Sequence, residues 1–395
     1  MNTEIAWVDL ESSVPDTRRR APRRGGLVAY AAATAVLVAL VALWAFSESD
    51  TDSTPVDDPS GDFVVDAINS LPAGIAVYAD IGNDLRIAGV DLDALARLAG
   101  VERPAKFVAA GPWAEVVGRQ EAGTVQRSDL FQRGLADADA FIAELSFSPL
   151  DVTSYTTVAV ENHAGALDVF TLISGADGVG AAVGDDNFLQ IGAGEPGEIN
   201  VADRTSLRPL GRPIMVEFDP VAETVAVDSG LGFLSADLNR SAESRLTSSP
   251  DLAAVAEQLD RMPGLIGFQL TQSDFSIGTV LQQDGQGVER VNLIDRPFSS
   301  LGIGRSGSGP SARTTYVYLF NDEADAAAAR PSVDALFGPN NVVPTPRGGT
   351  EQVMGNFVTV VSIETAGRTV VVTTAVPDDP TEPVRVLFLP AFFHR

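Results

Sequence analysis

Only two imidazoles are available for chemistry, His163 and His394, and the chain has no cysteine. A histidine zinc site would need both, plus carboxylates brought from distant positions. His163 lies in Glu161-Asn162-His163-Ala164-Gly165, a turn composition between two apolar runs, and His394 is the penultimate residue. A Ser-His-Asp triad meets the same shortage, and no G-x-S-x-G elbow occurs. The missing thiols exclude disulfides, Cys-ligated zinc, iron–sulfur clusters and the lipid-modified cysteine of a bacterial lipoprotein. No catalytic, cofactor-binding or metal-binding residue is assigned, and no cofactor is expected.

Carboxylates are abundant, 53 in all, so their number nominates nothing. The local clusters are Asp91/Asp93, Asp137/Asp139 and Asp185-Asp186-Asn187. None has the alternating oxygens, turn glycine and closing Glu of a calcium loop, so they read as solvated faces. A glycosidase pair can lie far apart in a chain, and nothing here singles one out. Gly302-Ile303-Gly304-Arg305-Ser306-Gly307 fits G-x-G-x-x-G, but no helix follows to meet a phosphate, so a flexible loop is expected there. Gly178-Val179-Gly180 to Gly184 follows a strand, and its small residues suit close packing of a helix.

With a net charge of -26, the chain repels phosphates, so nucleic acid is not an expected partner. One lysine, Lys106, among many arginines reflects a GC-rich genome. Residues 27–46, LVAYAAATAVLVALVALWAF, carry no charge and are long enough to span a bilayer as a helix. Tyr30 and Trp44 stand near the ends of the run, at interface depth. Arg18, Arg19, Arg20, Arg23 and Arg24 precede it, whereas Glu48, Asp50, Asp52, Asp57, Asp58 and Asp62 follow. That asymmetry places the N-terminus in the cytoplasm and the remainder outside. The bulky exit, Leu43 to Phe46, favours a retained anchor over a cleaved signal peptide.

The expected organisation is a cytoplasmic tail (1–25), a transmembrane helix (26–46), an acidic disordered linker (47–61) and an extracytoplasmic domain in two halves (62–258 and 259–395). The halves carry ordered matches. Leu71-Pro72 with Ile75 and Val77 answers Met262-Pro263 with Ile266 and Phe268. Val169-Phe170-Thr171-Leu172 answers Val317-Tyr318-Leu319-Phe320. Leu210-Gly211 with Ile214 and Val216 answers Met354-Gly355 with Val358 and Val360, and Thr224 to Val227 answers Thr369 to Val372. Each half reads as strands around a helix, ending in hairpins.

Helices are marked at Ser128 with Phe131, Leu135, Ala138, Ile142 and Leu145, at Ser249-Pro250, and over Val90 to Gly100. The fold class is α+β: one N-terminal transmembrane helix, then an internally duplicated antiparallel-sheet domain with helices on one face. Whether the halves share a sheet is open at this level. The apolar C-terminus, Leu387 to Phe393, reads as a last strand in the core, with a contact for a partner or the bilayer as the alternative.

Leu71-Pro72-Ala73 with Tyr78-Ala79-Asp80, and Ser249-Pro250-Asp251-Leu252-Ala253-Ala254 opening a helix, resemble uncharacterised membrane-anchored envelope proteins of high-GC Gram-positive bacteria. The resemblance implies a cell-envelope setting and no activity. The expected function is a non-enzymatic binding module whose partners are the bilayer, through 27–46, and an envelope protein or small apolar ligand. The alternatives are a lipid carrier and a carboxylate-dependent hydrolase.

Overall fold

The computed structural model describes residues 62–72, 75, 85–119, 127–160, 165–173, 178–183, 187–195, 197–234, 249–272, 293–307, 311–343 and 352–377. All of them belong to one compact unit, Asp57–Arg395. The expected tail, transmembrane helix and linker lie outside the described residues, as does the apolar C-terminus. Among the described residues no helix is long and apolar enough to cross a membrane.

The strands are β1 Leu85–Asp91, β2 Val152–Val160, β3 Leu167–Leu172, β4 Phe188–Ile191, β5 Ile214–Asp219, β6 Thr224–Asp228, β7 Leu265–Gln272, β8 Phe298–Ser306, β9 Arg313–Phe320, β10 Val342–Val343, β11 Gln352–Val353, β12 Thr359–Ala366 and β13 Thr369–Ala375. Eleven form one sheet in the order β12-β13-β9-β8-β7-β1-β2-β3-β6-β5-β4, while β10 and β11 pair separately. Every neighbouring pair in the large sheet is antiparallel. The two expected halves therefore share a sheet, joined where β1 pairs β7.

The helices are α1 Phe63–Asn69, α2 Leu92–Leu98, α3 Pro112–Arg119, α4 Asp129–Ala136, α5 Ala138–Leu145, α6 Gly178–Val183, α7 Pro250–Asp260 and α8 Glu323–Leu336. They cover both faces of the sheet, not one. Alternation along β8 makes this plain. Leu301 and Ile303 sit in a core with Ala326, Ala329 and Val333 of α8. A Cβ on Gly302, between them, would lie 2.4 Å from Val255 of α7, on the opposite side. A single face would have sufficed had the strands been amphipathic, but β3, β6 and β9 are buried on both sides.

Local signals explain most boundaries. Ser128 caps α4 by accepting from Phe131 N at 3.0 Å. The expected single helix from there to Leu145 is instead two, because Asp137 leaves the helical region (φ -143°, ψ 77°) and caps α5 through Ala140 N at 3.1 Å. Two caps nine residues apart compete with continuation, and here the second prevails. Residues 90 and 91 finish β1, so the helix expected from Val90 starts at Leu92 and closes at Gly100 (φ +65°). The loop expected at 302–306 is strand β8.

The runs β1-β2-β3-β6-β5 and β7-β8-β9-β13-β12 have the same strand order. Their registers agree as well. Phe170 opposes Val225 as Tyr318 opposes Val370, and Tyr155 opposes Phe170 as Leu301 opposes Tyr318. A register shift interrupts β2–β3 between Val152 and Ser154, and β8–β9 between Phe298 and Ser300, at the corresponding place. Since Val90 opposes Tyr155 and Thr271 opposes Leu301, Ala88 corresponds to Gln269, its own partner in the β1–β7 ladder. A local two-fold relation between the runs thus passes through that pair.

Register also corrects two of the sequence matches. Val216 opposes Val227, and the equivalent position opposite Val372 is Ile363, not Val360. The first strand among the described residues begins at Leu85; Ile75 lies outside it. Short apolar runs slide along one another at little cost in sequence, whereas a ladder admits one register.

Candidate functional site

Period-two alternation puts Asp168, Phe170 and Leu172 of β3 on the side covered by α4 and α5. Phe170 meets Phe131 of α4 at 6.4 Å and Phe141 of α5 at 6.2 Å between ring centroids. Asp168 occupies the same apolar layer at 2% exposure. Its ladder partner across β2 is Thr157, and Ser128 reaches it from the start of α4; both hydroxyls hydrogen-bond to its carboxyl group. Oδ1 has no partner among the described residues. Burial pushes this group up to about pKa 6, against the smaller opposing effect of the two hydroxyls; Asp129 adds to the rise and Arg133 resists it.

A carboxyl group titrating near neutrality is suited to proton transfer. Here it is sealed beneath α4, at 2% exposure. A shallow depression lies elsewhere, lined by Asp62, Val65, Glu257, Asp260 and Arg261 at the α1–α7 seam.

Several other polar groups in the interior have structural partners. Asp228, 1% exposed, accepts from the amides of Gly230, Leu231, Phe233 and Leu234 at 2.6–3.3 Å, which saturates both oxygens. Arg208 pairs with Glu144 at 2.8 Å beneath the surface. Arg103 bonds Asp93 at 2.6 Å and the carbonyls of Leu150 and Val152, with its guanidinium 5.2 Å from the Trp113 ring.

The clusters singled out in the sequence resolve into similar duties. Asp91 caps α2 through Ala94 N at 2.8 Å, and burial pushes its carboxyl up. Asp93 is the partner of Arg103. Asp137 caps α5, and its hydrogen bond from Ser206 holds it low. Asn187 adopts φ +56° before β4, while Asp185 and Asp186 lie outside the described residues, as do His163 and His394. Among the described residues no group of three His, Asp or Glu could hold a metal ion. Gly302 and Gly304 admit α7 to the sheet, and a Cβ on Gly178 would lie 2.7 Å from the Ser146 carbonyl.

Asp168 belongs to no motif because it lies inside an apolar strand. The signal was present: an acid in phase with Phe170 and Leu172 must share their buried face.

No family model matches the chain, and no curated protein matches it. Among solved structures, crystal form I of TP0453 is similar over 82% of this chain and 98% of its own, at 7% identity and a TM-score of 0.32. A likeness that distant bears on neither fold nor function.

Proposed function

We propose that this chain is a single-pass membrane protein of the cell envelope, held by residues 27–46, whose outer sheet domain is a non-enzymatic binding module. The observation that carries the reading is the form of the sheet. Among the described residues its helices lie on both faces and its edges are β4 and β12, the latter with Val361 55% exposed. A free edge offers unpaired backbone groups to an extended segment of another protein. Asp168 and Asp228, the buried acids that a carboxylate hydrolase would draw on, have structural surroundings that support the binding reading.

The domain is also read as an internal duplication. Matching strand order, registers and register shifts support it, and so does the placement of Leu71-Pro72 after α1 and Met262-Pro263 after α7. On this reading the repeats are divided between residues 234 and 249, ahead of α7, and not at 258.

The test is site-specific photo-crosslinking in cells, with the full-length chain carrying the probe at Val361 or at the 93%-exposed Val221. Protein adducts at Val361 and none at Val221 are expected. Lipid adducts alone would favour the carrier. Turnover of ester, glycoside, peptide or phosphate substrates by the purified protein, abolished by Asp168→Asn, would overturn the non-enzymatic reading.

A further inference from the structure

Helix α4 is seated on the sheet through a carboxyl group that the fold buries without fully pairing. Ser128 links the two: its Oγ accepts from Phe131 N, closing the first turn of α4, and its hydroxyl also hydrogen-bonds to Asp168. Facing Asp168 from the neighbouring strands are Thr157 of β2 and Val227 of β6, neither of which ionises near neutrality. The charged groups that bear on it, Asp129 and Arg133, both belong to α4. Next along the chain, the helical path breaks at Asp137, whose side chain is tied to Ala140 N and to Ser206. The far end of α4 is held as well, by Arg133 Nη1 donating to the Leu207 carbonyl at 2.9 Å and by Phe141 of α5 packed on Gly134, so the break at Asp137 is the point about which the first turn of α4 can move.

We propose that Asp168 is a pH-operated latch: ionisation of its carboxyl group lets α4 lift from the sheet about Asp137, and protonation seats the helix again. The physical cause is the unpaired oxygen. A charge beside Phe131, Tyr155 and Phe170 is poorly solvated while α4 is closed, and water reaches Oδ1 once it opens. Opposing the opening is the burial of Leu130, Phe131 and Leu135.

The sign follows from linkage. The closed state holds the proton up to about pH 6 and the open state only to about 3.8. Closure is therefore favoured fully below 3.8, and the advantage is lost as pH rises through 6. Between pH 5 and pH 8 the opening equilibrium rises about tenfold.

Hydrogen exchange on the full-length chain, corrected for intrinsic rates, reads this directly. The α4 amides are expected to lose about tenfold in protection from pH 5 to pH 8 while those of α5 hold. In Asp168→Asn the α4 dependence disappears. Thr157→Val removes a donor that favours the carboxylate and is expected to move the midpoint to higher pH, a readout that serves even if the Asn variant folds poorly. Equal loss in α4 and α5, a pH-independent α4 in the unaltered chain, or persistence of the effect in Asp168→Asn would each overturn the latch.

Discussion

Asp260, at the end of α7, caps the start of α1: its carboxylate accepts from Val64 N at 2.7 Å, across 196 residues of sequence, and from Val65 N at 3.0 Å. The residue in the local N-cap position, Asp62, makes no such bond. The two helices are thereby joined at the seam where β1 meets β7, and Phe63 of α1 packs edge-on against Phe268 of β7 at 5.5 Å. Asp260→Ala should cost about 1–2 kcal/mol in chemical denaturation, the ordinary worth of an N-cap, with Asp260→Asn losing less. An unchanged midpoint in the Ala variant would show the contact to be incidental.

Gly302 is required by the approach of α7. A Cβ there would stand 2.4 Å from Val255 Cγ1 and 3.2 Å from Leu259 Cδ1. Gly302→Val should destabilise the domain by about 1–3 kcal/mol through overpacking. Combination with Val255→Ala should recover part of the loss, since it empties the volume the new side chain needs. Thermal melts of the two variants measure the coupling.

The Glu144–Arg208 pair is buried, at 13% and 8% side-chain exposure. Glu144→Ala leaves a guanidinium without its counter-charge and should cost about 3–5 kcal/mol. Glu144→Ala with Arg208→Met removes both charges and should be the milder change. If the double variant is the less stable one, the pair contributes net stability beyond compensating its own burial.

Asp168→Asn keeps the shape and removes the charge. Because the folded pKa of Asp168 is raised to about 6, the ionised form opposes folding. Its stabilising contribution is present at low pH and fades as pH rises through 6. The substitution should therefore stabilise the protein more at pH 8 than at pH 5, by about 1.4 kcal/mol. Urea melts at the two pH values check the sign, and a larger gain at pH 5 would refute it.

The cysteine-free chain makes the proposed anchor simple to test. Ser13→Cys and Ser53→Cys flank residues 27–46. A membrane-impermeant maleimide applied to intact cells should label position 53 and spare position 13. Labelling of both, or release of a shortened chain into the medium, would contradict a retained anchor with a cytoplasmic N-terminus.

Much of the domain's pattern was legible residue by residue. Val169 to Leu172 and Val317 to Phe320 read as matching strands from their residues, and the ladders place them in equivalent registers. Ser128 and Gly100 act at helix ends through a local hydrogen bond and a left-handed turn, which neighbouring residues suffice to specify. Gly302 to Ser306 misled because glycine lowers strand propensity locally, while the reason for it, Val255 and Leu259, is remote in the chain.

The sequence alone determined the antiparallel α+β character, because alternation, caps and turns are properties of neighbouring residues. It also carried the charge asymmetry on which the expected topology rests. Only the tertiary structure decided that the runs join through Ala88 and Gln269, that helices cover both faces, and that Asp168 is enclosed beneath Ser128. Each of these depends on which surfaces meet across long stretches of chain. A carboxylate's surroundings, and so its proton affinity, are not written in the residues beside it.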